Sequence, residues 1–201
     1  MYSQILIAAS LALAGYFDVK ERLVSDLLWV PGAVGVVVLF FLLPSEIVPL
    51  LIRLALVGAI GVAFARLGFI GEADAIALVI ATSDPSIFSL IYIMFATGIV
   101  ALLHMSSLYL MGFVGKKRLI PLEQFKAEAR WIPRAVVVDG VSSDVNSNVN
   151  ISREEVEKDA PVGSMIEVQY GVPTVAYIAI GYLIYFGYMV LFNINTFARL
   201  G

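Results

Sequence analysis

Residues Ile87 to Val114 read IFSLIYIMFATGIVALLHMSSLYLMGFV, 28 residues without one Asp, Glu, Lys or Arg. A helix needs about 20 predominantly apolar residues to cross a bilayer. The run exceeds that length, so its helix should tilt or project into solvent. Three other runs read as plain spans: Leu27 to Leu43, apolar throughout; Ile47 to Ala65, broken only by Pro49 and Arg53; and Gly171 to Phe192. Pro31 falls one turn inside its run, where it costs little or leaves a mild kink.

The composition agrees with these runs. Of 201 residues, 60% are hydrophobic and 14% charged, with a mean hydropathy of +0.92. Soluble globular domains are about 45–50% apolar and about 25% charged, which excludes the ordinary soluble class. The absence of cysteine excludes disulfides, thiol nucleophiles and Cys-based zinc sites. The net charge of −3, from 13 basic and 16 acidic residues, matters less than where the charges lie.

Two further apolar segments are too short to cross unaided. Tyr2 to Phe17 meets Asp18, so a crossing requires its helix to run through Asp18 and Val19, placing that carboxylate at or just inside the interface. Ala73 to Thr82, at about 1.5 Å per residue, covers only half of the hydrocarbon. Its start carries Asp74 and must be covered by water or other helices, because backbone polar groups are not left facing lipid. With these two the expectation is six transmembrane helices. The first lacks a basic n-region and reads as retained, not as a signal peptide.

Basic residues near the spans set orientation. Lys20, Arg22, Arg66 and Lys116-Lys117-Arg118 fall on one side, Arg53 and Arg199 on the other. The first side is therefore cytoplasmic, with both termini outside and the loops at 18–26, 66–72 and 116–170 inside. Lys116-Lys117-Arg118 also fits contact with anionic lipid. Residues 116–170 hold eight of the 13 basic and nine of the 16 acidic residues, and read as a small soluble α+β insert. Within it, Arg134 to Asp139 and Ser164 to Tyr170 read as strands, Leu122 to Arg130 as a short helix, and Ser142 to Asn150 as a mobile loop. The chain thus divides into a membrane domain (1–115), the insert (116–170) and a sixth helix with the C-terminus (171–201). No repeat or nucleotide-binding loop is present. Gly58-x-x-Gly61 and Gly112-x-x-Gly115 are helix-packing spacings at best.

Seven acidic residues lie outside the insert: Asp18, Glu21, Asp26, Glu46, Glu72, Asp74 and Asp84. A carboxylate at a membrane helix centre costs at least about 2.5–3.5 kcal/mol. The length argument pushes Asp18 and Asp74 toward that depth, on the same side. Two carboxyls within a few ångströms cannot both ionise, so one holds a proton while the other acts as a base on water. Against this stands a capping role, Asp18 at the end of its helix and Asp74 at the N-terminus of the fourth. Asp84 reads as part of an outer turn before Pro85.

Gly71-Glu72-Ala73-Asp74, followed by Ala75-Ile76-Ala77-Leu78, resembles the GxGD motif of intramembrane aspartyl proteases, with Ala73 in place of the second glycine. Gly15-Tyr16-Phe17-Asp18-Val19-Lys20-Glu21-Arg22 resembles the first catalytic segment of type IV prepilin peptidases. Six spans, an Asp on the first and fourth helices and a late insert most resemble the archaeal preflagellin peptidases, across essentially the whole chain. The resemblance implies removal of a short basic leader from preflagellin or prepilin-like precursors at the cytoplasmic face. It implies Asp18 and Asp74 as catalytic residues and Gly71 as the motif glycine, with Ala73 beside it. Relatives that also N-methylate carry a cysteine-tetrad zinc insert that this chain lacks, so methyl transfer, metal and cofactor are not expected. Partners are the precursor and membrane lipids, with no nucleic acid.

Glu21, Asp26 and Glu72 surround the expected mouth of the site and could attract a basic leader, or simply be solvated near helix ends. His104, alone in its apolar run, reads as an interhelical hydrogen-bonding residue. A small proton- or cation-coupled transporter using Asp18 and Asp74 as a relay is the alternative reading, although transporters usually carry an internal repeat. A scaffold whose insert binds cytosolic partners is a third.

Overall fold

The computed structural model describes residues 2–67, 70–84, 87–113, 117–128, 130–138, 141–143 and 153–200. The chain divides into two compact units. Met1–Val19, Leu23–Leu103 and Pro173–Gly201 form one; Lys20–Arg22 and His104–Val172 form the other.

The first unit is built from helices α1 (Tyr2–Glu21), α2 (Val30–Leu42), α3 (Ile47–Arg66), α4 (Glu72–Ala81), most of α5 (Ile87–Leu110) and α8 (Thr174–Leu200). Among the described residues four stretches are long and apolar enough to cross a membrane: Tyr2–Glu21, Pro44–Arg66, Ser89–Leu110 and Thr174–Phe192. Of the six expected spans, four thus have the length and composition to cross among the described residues; Asp26–Leu42 is shorter and α4 has only ten residues. The run expected from Leu27 opens instead as a 3₁₀ turn, Asp26–Trp29, and α2 starts only at Val30. Pro31 consequently lies in the first turn of α2, where its missing N–H would have had no partner. α1 runs through Asp18 as the length argument required and stops before Arg22, whose φ of 56° is left-handed. α5 ends at Leu110 rather than Val114, which lies outside the described residues. Gly112, at φ 73°, closes it: its N–H donates to the Tyr109 carbonyl and the Phe113 N–H to the Leu108 carbonyl, each at 2.9 Å. That is a Schellman cap, so Gly112 is a helix stop and not a packing glycine. Gly171 and Pro173, expected at the start of the last span, precede α8.

The core of this unit gathers Ile7, Leu11, Trp29, Leu50, Ile93 and Tyr182, among others. Large apolar side chains such as Leu56, Phe64, Phe95 and Leu102 stay exposed on α3 and α5. An exposed apolar surface of this extent marks a membrane-facing or interaction surface. Buried residues make up 44% of the α1 and α8 spans but only 17% of those in α3 and α5.

The second unit holds an antiparallel sheet in the order β1 (Arg118–Pro121), β4 (Met165–Tyr170), β2 (Trp131–Val138), β3 (Val141–Ser143), with helices α6 (Leu122–Ala127) and α7 (Arg153–Asp159). Ile120, Phe125, Trp131, Val156, Ile166 and Val168 form its core. The expected strand at Arg134 begins three residues earlier, because an irregularity in register between Pro133 and Ala135 absorbs the proline. Ser142 and Ser143 lie in β3; the rest of the expected loop, 144–150, and the strand end at Asp139 lie outside the described residues. Arg153 Nη2 donates to the carbonyl of Phe125 at 2.7 Å and Nη1 to that of Glu128 at 3.2 Å, tying α7 to the end of α6.

Glu128 accepts from Arg130 Nε at 2.8 Å, Gln124 Nε2 at 3.2 Å and Trp131 Nε1 at 2.7 Å. The Arg130 hydrogen bond first, then those from Gln124 and Trp131, hold its carboxyl below the usual Glu range. A carboxyl held lower in the folded than in the unfolded chain adds stability that is complete above the unfolded value and is lost as pH falls through the folded one. In a Trp29→Phe background, the unfolding midpoint followed by Trp131 fluorescence should therefore drop as pH falls below the ordinary Glu range. Glu128→Gln should flatten that part of the profile; an unchanged slope would assign it to other carboxyls.

Candidate active site

No breaker interrupts Tyr16-Phe17-Asp18-Val19-Lys20-Glu21, so α1 carries Asp18 in its last turn. The side chain is only 8% exposed, and Oδ2 accepts the Ala176 N–H at 3.2 Å. Ala176 lies in the first turn of α8, where backbone donors have no partner within the helix and negative charge is favoured. Asp18 therefore caps α8, 158 residues away, rather than its own helix. Gly15 makes this contact possible. A Cβ there would stand 2.9 Å from the Ala179 Cβ and 3.1 Å from the Ala176 Cα.

Asp74 is the third residue of α4, half-buried, and its Oδ2 accepts the Gly71 N–H at 2.8 Å. This is the reach-back arm of a capping box, so the capping role weighed for Asp74 is present. Gly71 has an extended backbone, φ −78° and ψ 163°, open to any residue. Ala73 packs against the core, and Ala75 sits in a notch left by Gly61, where a Cβ would meet the Ala75 Cβ at 3.1 Å. The Gly58-x-x-Gly61 spacing thus packs α3 on α4 through its second glycine only.

Asp18 and Asp74 lie near enough for their charges to act on each other. Two carboxyls separated by 56 positions thus lie on one unit, each bonded to a backbone N–H. Of the expected mouth residues, Glu72 and Asp26 are exposed on the first unit. Glu21 belongs to the other unit and pairs with Lys20 at 3.3 Å. His104 is half-buried on α5. Among the described residues no group of three or more metal-ligating side chains converges.

Sequence reasoning also passed over a polar cluster at the far end of α4. Asp84, expected on an outer turn, is buried, as is Arg53. A charge inside an apolar run, as Arg53 is, was the signal available.

No family model matches the chain, and no curated protein and no solved structure is detectably similar to it.

The Gly15 contact has a measurable consequence. Gly15→Ala should lower stability in mixed micelles by about 1–3 kcal/mol through overpacking. Gly58→Ala should be neutral or slightly stabilising, because only Val79 stands near a Cβ there, at 3.8 Å. Equal effects at the two positions would show that α1 and α8 do not depend on close approach.

Proposed function

We propose that this chain is a membrane-embedded aspartyl endopeptidase that removes short basic leaders from preflagellin or prepilin-like precursors. The observation that supports it most is that Asp18 and Asp74 lie on one unit, each at a helix end, partly or wholly buried, with the charge of Asp18 felt at Asp74. Water attack on an amide needs a base to take the water's proton and an acid to polarise the carbonyl. Two carboxyls sharing one proton supply both. In this reading one aspartate is ionised and removes the water proton as oxygen attacks. The other donates its proton to the carbonyl oxygen, and the tetrahedral intermediate then collapses as the amide nitrogen is protonated and leaves. The backbone N–H on each aspartate fixes the direction of its lone pairs. Glu72 and Asp26, being exposed, are available to a basic leader.

The proposed arrangement crosses the membrane six times, with α4 at half depth. The insert and the 18–26 loop are cytoplasmic and the termini outside. In the cysteine-free chain, Ser143→Cys should resist labelling by a membrane-impermeant maleimide in intact cells and react once they are opened. Labelling from outside would reverse the orientation and remove the site from a cytoplasmic leader.

The chemistry is tested with purified protein and a leader-bearing precursor, cleavage being read as a gel shift. Asp18→Asn and Asp74→Asn should each lower kcat by roughly 10²–10⁴-fold, and the double variant by little more than either, because the pair acts as a unit. The wild-type rate should fall at both pH extremes. Substantial activity in either single variant would return both residues to capping.

A further inference from the structure

Asp84 gathers contacts from four helices at the end of α4 opposite Asp74. It is 6% exposed and Arg53 9%. Gln4 Nε2, on α1, donates to Asp84 Oδ2 at 2.9 Å. Arg53 Nη1, on α3, and the Ser89 hydroxyl, on α5, both donate to the Asp84 carbonyl. The Tyr185 hydroxyl, on α8, is in hydrogen-bonding contact with the Asp84 carboxyl and with Ser89. α4 closes on itself just before this point: the Thr82 and Ser83 hydroxyls donate to the carbonyls of Leu78 and Ile80, each at 2.7 Å. Just beyond, Asp84 bonds other helices.

We propose that Asp84 is a positioning residue, a clasp that joins α1, α3, α5 and α8 to the far end of α4 and so sets the approach of Asp74 to Asp18. The lever is short and stiff. α4 is about 15 Å long, so a tilt of about 10° at Asp84 moves Asp74 by about 2.5 Å. Misplacement by about 1 Å can cost about 10²-fold in rate. Two of the clasped helices, α1 and α8, are also the ones joined at Asp18. These two helices are therefore joined at both places.

Its kinetic arm rests on the proposed endopeptidase, and a distance arm does not. Asp84→Ala removes the acceptors for Gln4 and Tyr185; Asp84→Asn removes the same charge but keeps an oxygen acceptor. Ala should lower kcat about ten- to hundred-fold with KM within about two-fold. It should also narrow the pH–rate bell, as the aspartates separate and their coupling weakens. Asn should restore most of both. Equal losses in Ala and Asn, or a loss confined to KM, would overturn the clasp.

Spin labels at Tyr16→Cys and Ile76→Cys, both exposed and in a chain without native cysteine, report the approach directly. Their distance distribution should shift or broaden with Asp84→Ala and not with Asp84→Asn. No change with Ala would overturn the proposal. If the wild-type protein cleaves no precursor, the proposed function fails while these distances still decide the clasp. Should Asp84→Ala not fold, Gln4→Leu removes the α1 contact alone. Unchanged distances there would be equally decisive against it.

Discussion

The hydrogen bond from the Ala176 N–H to the Asp18 carboxylate ties the last helix of the chain to the first. A helix that begins among other helices has backbone donors with nowhere to go, and leaving such a group buried and unpaired costs about 1–3 kcal/mol. Asp18 removes that cost for one donor at the start of α8. The bond requires backbones at close range, which Gly15 permits against Ala176 and Ala179. α1 and α8 are accordingly the most enclosed of the four spans. The capping and catalytic readings of Asp18 do not compete. An ionised carboxylate has about four lone-pair sites, and the cap uses one. What the cap adds is direction.

The shortness of α4 is the second constraint. A full-length span hides its polar ends at the two membrane surfaces. A helix of ten residues is too short for that, and both of its ends are satisfied by protein. At one end Asp74 takes the Gly71 N–H; at the other, hydroxyls take the last carbonyls and Asp84 bonds α1. The sides of α4 are held by small residues, Gly61 receiving Ala75 and Gly32 receiving Ile80. The shortness of α4 thus goes with an acidic residue at each of its ends.

What was legible in the sequence was what is local. Apolar runs gave the long helices, and the run too short to span gave α4 within a residue at each end. Asp18 and Asp74 stood out because the length of their segments put them at depth. Partners could not be read in the same way. Asp18 meets Ala176 across 158 positions and Gln4 meets Asp84 across 80, and no period or spacing encodes either. Asp84 looked like a solvated turn residue because its neighbours Ser83 and Pro85 signal a turn. In the second unit, β2 was placed late because Pro133 reads as a breaker. β1 was missed beside a basic cluster that read as an orientation signal. α7, Arg153–Asp159, has Val156 as its one buried apolar residue and so no hydrophobic period; its Arg153 contacts with α6 carbonyls hold it instead.

Two ionised carboxyls that feel each other's charge repel, which works against folding. One way to meet that cost is for the pair to hold a proton; the other is for surrounding contacts to hold the helices where the charges would part them. The tightest approaches in the first unit are at Gly181 of α8, against Thr97 and Ile93 of α5, and at Gly35 of α2, where a Cβ would stand 2.7 Å from the Ser3 carbonyl of α1; those at Gly15, Gly32 and Gly61 are slightly looser. Close packing at small residues and hydrogen bonds at helix ends are the forces available where neighbouring lipid supplies no hydrophobic drive between helices. Both are found here among α1, α4 and α8, and α3 and α5 join them at Gly61 and Thr97 while turning large apolar side chains outward. The tight contacts thus join α8 to both α1 and α5, α2 to α1 and α3 to α4, so the helices that carry the aspartates are each held by at least one of them.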